Sequence, residues 1–277
     1  MRFFDKLERA ATRNGSLLCI GLDPDPALMP TTDVADFNQA IIEATTGFVC
    51  AFKPNLAFYE ALGERGLLAL HKTLAAIPED VPVIGDGKRN DIGNTARAYA
   101  HALFDHWRFD AVTVNPYLGG DALEPFLERP DKVAFVLCRT SNPGARDLQD
   151  LPVTVDGAPP RPLFEAVAEA ALRWNTRGNV GLVVGATYPH ELQRVRQICP
   201  DMTFLVPGVG AQGGDVAAVI ANGLDARGGG LIINVSRQVL YASKGRDFAH
   251  AARRAAQALR DDVARQRERT LSQRERK

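Results

Sequence analysis

The sequence predicts an α/β fold, a closed (β/α)8 barrel formed as a single domain over residues 1–277. Three observations lead there. Short apolar, β-branched runs alternate with amphipathic stretches, the pattern of βαβ units and a parallel sheet. Eight such runs follow one another without a break in composition, which favours closure over an open doubly wound sheet. No GxGxxG follows the first run, so the dinucleotide-binding form of an open sheet lacks its phosphate turn.

The runs are Leu17–Asp23, Phe48–Asn55, Val81–Lys88, Ala111–Tyr117, Val133–Ser141, Val180–Thr187, Phe204–Gly210 and Leu231–Arg237. Their unbroken apolar character suits strands buried on both faces. Helical periodicity marks Leu56–Ala76, Ile92–Trp107, Leu163–Arg177 and His190–Ile198 between them. Residues 142–162 break the rhythm with several prolines and glycines; a long insertion in a compact domain is usually functional or disordered. From Arg246 the pattern is again helical, and beyond Arg265 it becomes almost wholly polar, which predicts a solvated or frayed tail.

Lysine plus arginine equal aspartate plus glutamate at 33 each, so no global field recruits nucleic acid or an anionic membrane. Any phosphate recognition is therefore local. The four cysteines are far apart, with no CxxC or Cys/His spacing, and read as reduced core thiols, not a disulfide frame or a metal site. Met1–Arg13 is charged and amphipathic, unlike a signal peptide. No apolar run approaches the roughly 20 residues of a membrane span, so a cytoplasmic location is expected.

Barrel enzymes carry their chemistry at the C-terminal ends of the strands. Here those ends are polar: Asp23, Lys53, Asn55, Asp86, Lys88, Asn115, Ser141 and Arg237, with Gln212 just past the seventh run. Strand ends meet loops, so any one of these has an ordinary explanation; their recurrence on nearly every strand does not. The third run is the most informative. Strand alternation puts Ile84, Asp86 and Lys88 on one face and Gly85 and Gly87 on the other. An inward Asp–Lys pair is a weak device for stability and points to function. Asp91 follows where the strand yields to a helix, and Thr95 lies a helical turn further on. With Lys53 the set alternates in sign, which keeps each lysine an ammonium and each aspartate ionised. An ammonium so held can protonate a developing carbanion. On the other side, the turn from Pro207 to Gly214 offers backbone N–H groups, and loops after strands seven and eight often bind phosphate. Arg237 adds a planar fork suited to phosphate.

Taken in order, these segments resemble the orotidine 5′-phosphate decarboxylase family, in its long bacterial branch. The resemblance runs from Gly21-Leu22-Asp23 to Arg237, and its most specific element is Asp86-x-Lys88-x-x-Asp91. Phe52-Lys53-Pro54-Asn55, Thr140-Ser141-Asn142-Pro143-Gly144 and the turn at Gly208–Gly214 support it. It implies a cofactor-free and metal-free enzyme that converts orotidine 5′-phosphate to UMP and carbon dioxide, the last step of pyrimidine nucleotide synthesis. It also implies roles. Lys88 is the proton donor to C6, Asp86 the carboxylate beside the substrate's own, Lys53 the bridge to the ribose, and Asp23 a ribose-hydroxyl contact. Ser141 faces the pyrimidine amide, Gln212 reaches between base and phosphate, and Arg237 grips the phosphate with the backbone near Ser236. Asp91 and Thr95 match residues that serve the partner subunit's site, which implies a homodimer.

Three other readings stay open at this stage. Magnesium-dependent sugar-phosphate barrels carry a similar Asp-x-Lys-x-x-Asp; Ser141 and Gln212 favour the pyrimidine enzyme. A Schiff-base aldolase using Lys53 or Lys88 needs a neutral amine, which the acidic neighbours oppose. A nucleotide-binding module without catalysis would have little use for the complete charge array.

Overall fold

The computed structural model describes residues 1–155, 157, 159–210 and 214–276. Eight parallel strands, β1 (Leu18–Leu22), β2 (Ala51–Pro54), β3 (Ile84–Arg89), β4 (Ala111–Val114), β5 (Val133–Arg139), β6 (Val180–Val184), β7 (Phe204–Pro207) and β8 (Leu231–Val235), form one sheet. Seven lie inside the runs read from the sequence, and β3 passes the end of its run by one residue, to Arg89. The sheet order is β2-β1-β8-β7-β6-β5-β4-β3. Single parallel bridges from Phe52 to Val83 and from Asn55 to Asp86 join its two edges and close the barrel.

Both faces of the strands are covered, as a parallel sheet requires. On β1, Leu18, Ile20 and Leu22 join the large cluster beneath the helices, while Cys19 joins a smaller one inside the barrel. Ile84, Phe135, Leu205 and Ile232 share that interior, and Phe3 of the first helix, Phe3–Asn14, closes it from below. The rings of Phe3 and Phe135 meet edge to face at 5.8 Å. The amphipathic N-terminus is thus the barrel's floor. All four cysteines are buried free thiols.

Two helices differ from their sequence-predicted outlines. Leu56–Ala76 splits into Leu56–Glu60 and Gly63–Ala76, because Gly63 adopts φ 62° and turns the chain. Ile92–Trp107 is α-helical over Gly93–His101 and then widens into a π turn at Ala102–His106. The tail is not frayed. One helix runs from Phe248 to Glu275, because its arginines find carbonyl partners on the barrel's lower rim. Arg267 Nε donates to Gly228 O at 2.6 Å and Arg274 Nη1 to Asp225 O at 2.8 Å, while Leu271 covers Gly228. A polar sequence conceals a docked face. Among the described residues, no helix is long and apolar enough to cross a membrane.

Candidate active site

The C-terminal mouth of the barrel encloses a cavity of about 720 Å³, lined by Asp23, Lys53, Asp86, Lys88, Ser141, Ser236 and Arg237 among others. Seven of the ten residues to which the family resemblance assigns a role therefore meet in one space, contributed by β1, β2, β3, β5 and β8 or the turns that follow them.

Asp86 is the hub of its charged array. Lys53 Nζ donates to Asp86 Oδ2 at 2.7 Å, Lys88 Nζ to Oδ1 at 2.6 Å, and Thr113 Oγ1 to the same Oδ1 at 2.8 Å. Burial works against a charge on Asp86, yet the ammonium groups of Lys53 and Lys88 outweigh it and hold the carboxyl well below the usual range. Burial likewise favours a neutral Lys53, but Asp86 and then Asp23 carry it above the ordinary lysine value. The array is thus ionised by mutual support. Lys88 differs from Lys53 in access: its side chain is 45% exposed, against 5%.

The backbone of β3 explains how both charges reach the same point. Gly85 and Gly87 are on the outer face as expected; a Cβ at Gly85 would lie 2.4 Å from the Phe109 ring and one at Gly87 2.9 Å from Leu56. Strict alternation fails at Lys88, however. The register with β4 shifts between Gly85 and Arg89, and Lys88 takes φ 47°, left-handed for a residue with a Cβ. Its N–H is held by Thr113 Oγ1 at 3.0 Å. Thr113 therefore ties the carboxylate and the strained backbone together, a role its sequence setting, an inward threonine in the apolar run of β4, barely signals.

Across the cavity, Ser236 Oγ donates to Asp23 Oδ2 at 2.6 Å, while Asp23 Oδ1 is buried without a hydrogen-bond partner. Tyr241, unflagged by the sequence, donates from its hydroxyl to Asp23 O at 2.9 Å and accepts from Asp25 N at 2.6 Å. Burial pushes its phenol up to about 12, so it stays protonated. Asn234, also unflagged, lines the floor with a buried, unpartnered Oδ1. Arg237 opens the short helix Arg237–Leu240 at the exposed rim and does not itself end the strand.

The glycine-rich turn is more self-contained than the sequence suggests. Gly210 N bonds to Gly214 O and Gly214 N to Gly208 O, both at 3.0 Å, and the next helix is already capped by Asp215, which takes Ala217 N. Two of the offered N–H groups are thus engaged within the turn. Gln212 lies outside the described residues. Asp91 and Thr95 do not line this chain's cavity. Asp91 Oδ1 accepts from Ile92 N at 2.8 Å, and Thr95 is exposed at the rim.

Residues 16–254 match the family described as Orotidine 5′-phosphate decarboxylase / HUMPS family. The chain belongs to that family. A relative named orotidine 5′-phosphate decarboxylase from Herpetosiphon aurantiacus is 56% identical over 264 residues, covering 93% of this chain and 96% of its own. One of the same name from Thermomicrobium roseum is 51% identical and covers 99% of both chains. The solved structure of Leishmania donovani OMP decarboxylase superposes with a TM-score of 0.86 at 45% identity, covering 96% of this chain and 99% of its own. The fold is accordingly the TIM barrel of orotidine 5′-phosphate decarboxylases.

Proposed function

We propose that this chain decarboxylates orotidine 5′-phosphate to UMP and carbon dioxide, without metal or organic cofactor, in the cytoplasm and as a single-domain barrel. The observation that carries the reading is Asp86 held between Lys53 and Lys88 at one end of a nucleotide-sized cavity whose other end offers Ser236 and Arg237. Names of relatives at 50% identity or more point to the same reaction.

Chemically, the bond from C6 to the carboxylate breaks, its electron pair remains on C6, and carbon dioxide leaves. Lys88 Nζ delivers a proton to C6 and regains one from solvent, which its partial exposure permits. The carbanion has little resonance help; the largest enzymatic accelerations, about 10¹⁷-fold, correspond to roughly 23 kcal/mol. A preorganised ammonium facing the developing charge supplies the main share in this reading. Asp86, beside the substrate carboxylate, adds repulsion in the ground state. Asp23 and Lys53 take the ribose hydroxyls, Ser141 the pyrimidine amide, Gln212 the span between base and phosphate, and Ser236 and Arg237 the phosphate.

The functional unit in this reading is a homodimer in which Asp91 and Thr95 complete the partner's site. Their place at the rim supports it, as do the exposed side chains of Ile92, next to Asp91, and of Tyr117, in the turn after β4 whose Asn115 O accepts from Asn90 Nδ2; they are 63% and 82% exposed. The deciding experiment is to add orotidine 5′-phosphate to EDTA-treated protein and follow conversion to UMP. Rapid conversion is expected. Inactivity that magnesium restores would move the assignment to the sugar-phosphate relatives.

A further inference from the structure

Among the described residues, the largest fully buried side chain is Arg139, at the end of β5. It does not line the cavity, but the next three residues, Thr140, Ser141 and Asn142, do. A buried guanidinium is a poor source of stability, so its contacts are the clue. It stacks on the ring of Tyr188 at 4.3 Å, pairs with Asp150 at 3.2 Å, and donates from Nη1 to Gln149 Oε1 at 3.2 Å.

Gln149 belongs to the inserted segment that interrupts the barrel's rhythm. The last ladder bond at this strand end runs from Gly185 N to Arg139 O at 2.7 Å, leaving the N–H of Thr140 without a strand partner. Gln149 Oε1 takes that N–H at 2.9 Å, and Gln149 Nε2 donates to Thr140 Oγ1 at 2.9 Å. Thr140 Oγ1 in turn donates to Asn142 Oδ1 at 2.7 Å. One carboxamide thus continues the hydrogen-bond pattern that the sheet has stopped providing. Gln149 is itself anchored: its N–H goes to Ala145 O at 2.8 Å and its carbonyl takes Phe164 N at 3.0 Å. On the opposite side Ser141 rests on Gly185, where a Cβ would come within 2.8 Å of Ser141 N.

We propose that Arg139 and Gln149 are positioning residues, a clamp outside the cavity that fixes the Thr140–Asn142 segment and so sets how the site reads the pyrimidine. The insertion then serves as a strut behind the base-recognition segment. The inference rests on the reading of Ser141 as a pyrimidine contact. It predicts a selective defect, because the phosphate end of the cavity is built from β8 and does not touch the clamp.

The test is calorimetric binding of UMP and of ribose 5-phosphate, which lacks the base, to wild type, Gln149→Ala and Gln149→Glu, with kcat and KM for decarboxylation. Gln149→Ala should weaken UMP about tenfold, the scale of losing hydrogen bonds that order a contact, raise KM for the substrate and leave ribose 5-phosphate binding unchanged. Gln149→Glu keeps acceptors for Arg139 and Thr140 N and takes the single Thr140 hydroxyl proton that now goes to Asn142 Oδ1. The Asn142 carboxamide can flip and donate from Nδ2 to the same hydroxyl oxygen, so this variant should behave like wild type. Gln149→Met keeps the volume without the polar contacts and replaces the alanine variant if that one does not fold. Equal weakening of both ligands, or a lowered Tm with UMP affinity intact, would overturn the clamp. Wild type that binds UMP but leaves orotidine 5′-phosphate unchanged would instead sink the proposed reaction, whatever the variants do.

Discussion

Lys53 Nζ lies 2.7 Å from Asp86 Oδ2, with the two side chains only 5% and 9% exposed. Neither charge would be tolerated there alone, so the pair makes stability depend on pH. The Asp86 carboxyl is held below its unfolded value of about 3.9, so its contribution is present above that pH and is lost as pH falls toward the folded value. Lys53 is held above its unfolded value of about 10.4, so its contribution is present below that pH and is lost as pH rises through the folded value. Asp86→Asn leaves a buried ammonium without its main partner and should cost about 3–5 kcal/mol near neutrality. Below about pH 4 the gap between wild type and variant should shrink by about 1.4 kcal/mol per pH unit. Urea unfolding at fixed pH values measures it; a gap that stays constant down to pH 2 would contradict the depressed carboxyl.

Lys88 shares Asp86 but not its burial, and its backbone is held at φ 47° by the Thr113 hydroxyl. Strain of this kind persists where the surroundings over-determine it. If its ammonium is the proton source, Lys88→Ala should lower kcat at least about 10³-fold while UMP still binds. Single-turnover decarboxylation and UMP titration separate these effects. Near-normal turnover would refute the donor role.

The barrel was legible in the sequence because strands buried on both faces must be largely apolar, and seven of the eight observed strands fall inside such runs, β3 passing its run by one residue. The Asp86–Lys88 pair was legible because an i, i+2 spacing on a strand predicts a shared face, although the backbone brings the two charges together through the shift at Lys88 and not by strict alternation. What escaped has physical reasons. The shift at Lys88 depends on a hydroxyl from the neighbouring strand, and Thr113 resembles any β-branched strand residue. Tyr241 and Asn234 reach the cavity through elements whose local pattern is apolar. Arg139 precedes the readable Thr-Ser-Asn-Pro-Gly segment, but its partner Gln149 is set by how the insertion folds back. The tail is largely exposed, as its polarity predicts, but its docking escaped because arginines that bond backbone carbonyls look, by composition, like arginines in water.

Gly21 tests the other wall of the cavity. A Cβ there would stand 2.1 Å from Ser236 Oγ and 3.0 Å from Asp23 Oδ2, so Gly21→Ala must displace the hydroxyl that holds Asp23 at 2.6 Å. The overpacking should cost about 1–3 kcal/mol of stability. The displaced Ser236 and Asp23 should raise KM about tenfold, equivalent to about 1.4 kcal/mol, with a smaller effect on kcat. Michaelis kinetics beside thermal unfolding decide it: lost stability with unchanged KM would mean that the Asp23–Ser236 contact supports the fold and not the substrate.

Asp91 poses the remaining question, because its place in the motif and its place in space disagree. It stands three residues beyond Lys88, yet its carboxylate accepts from Ile92 N at the rim and stays outside the cavity of its own chain. The proposed homodimer would account for this, with a two-fold axis presenting the Asp91 of one subunit to the site of the other. Lys88→Ala and Asp91→Ala proteins should then each be inactive alone. In a heterodimer of the two, one site carries both defects and the other carries neither. Random re-pairing of equal amounts makes half the dimers mixed, so activity should return to about a quarter of wild type. Subunits carrying different tags, purified in sequence, would isolate the mixed dimer, where about half of wild-type activity is expected on the same argument. A verified heterodimer with no recovery would confine Asp91 to its own chain and leave the rim carboxylate without a catalytic part.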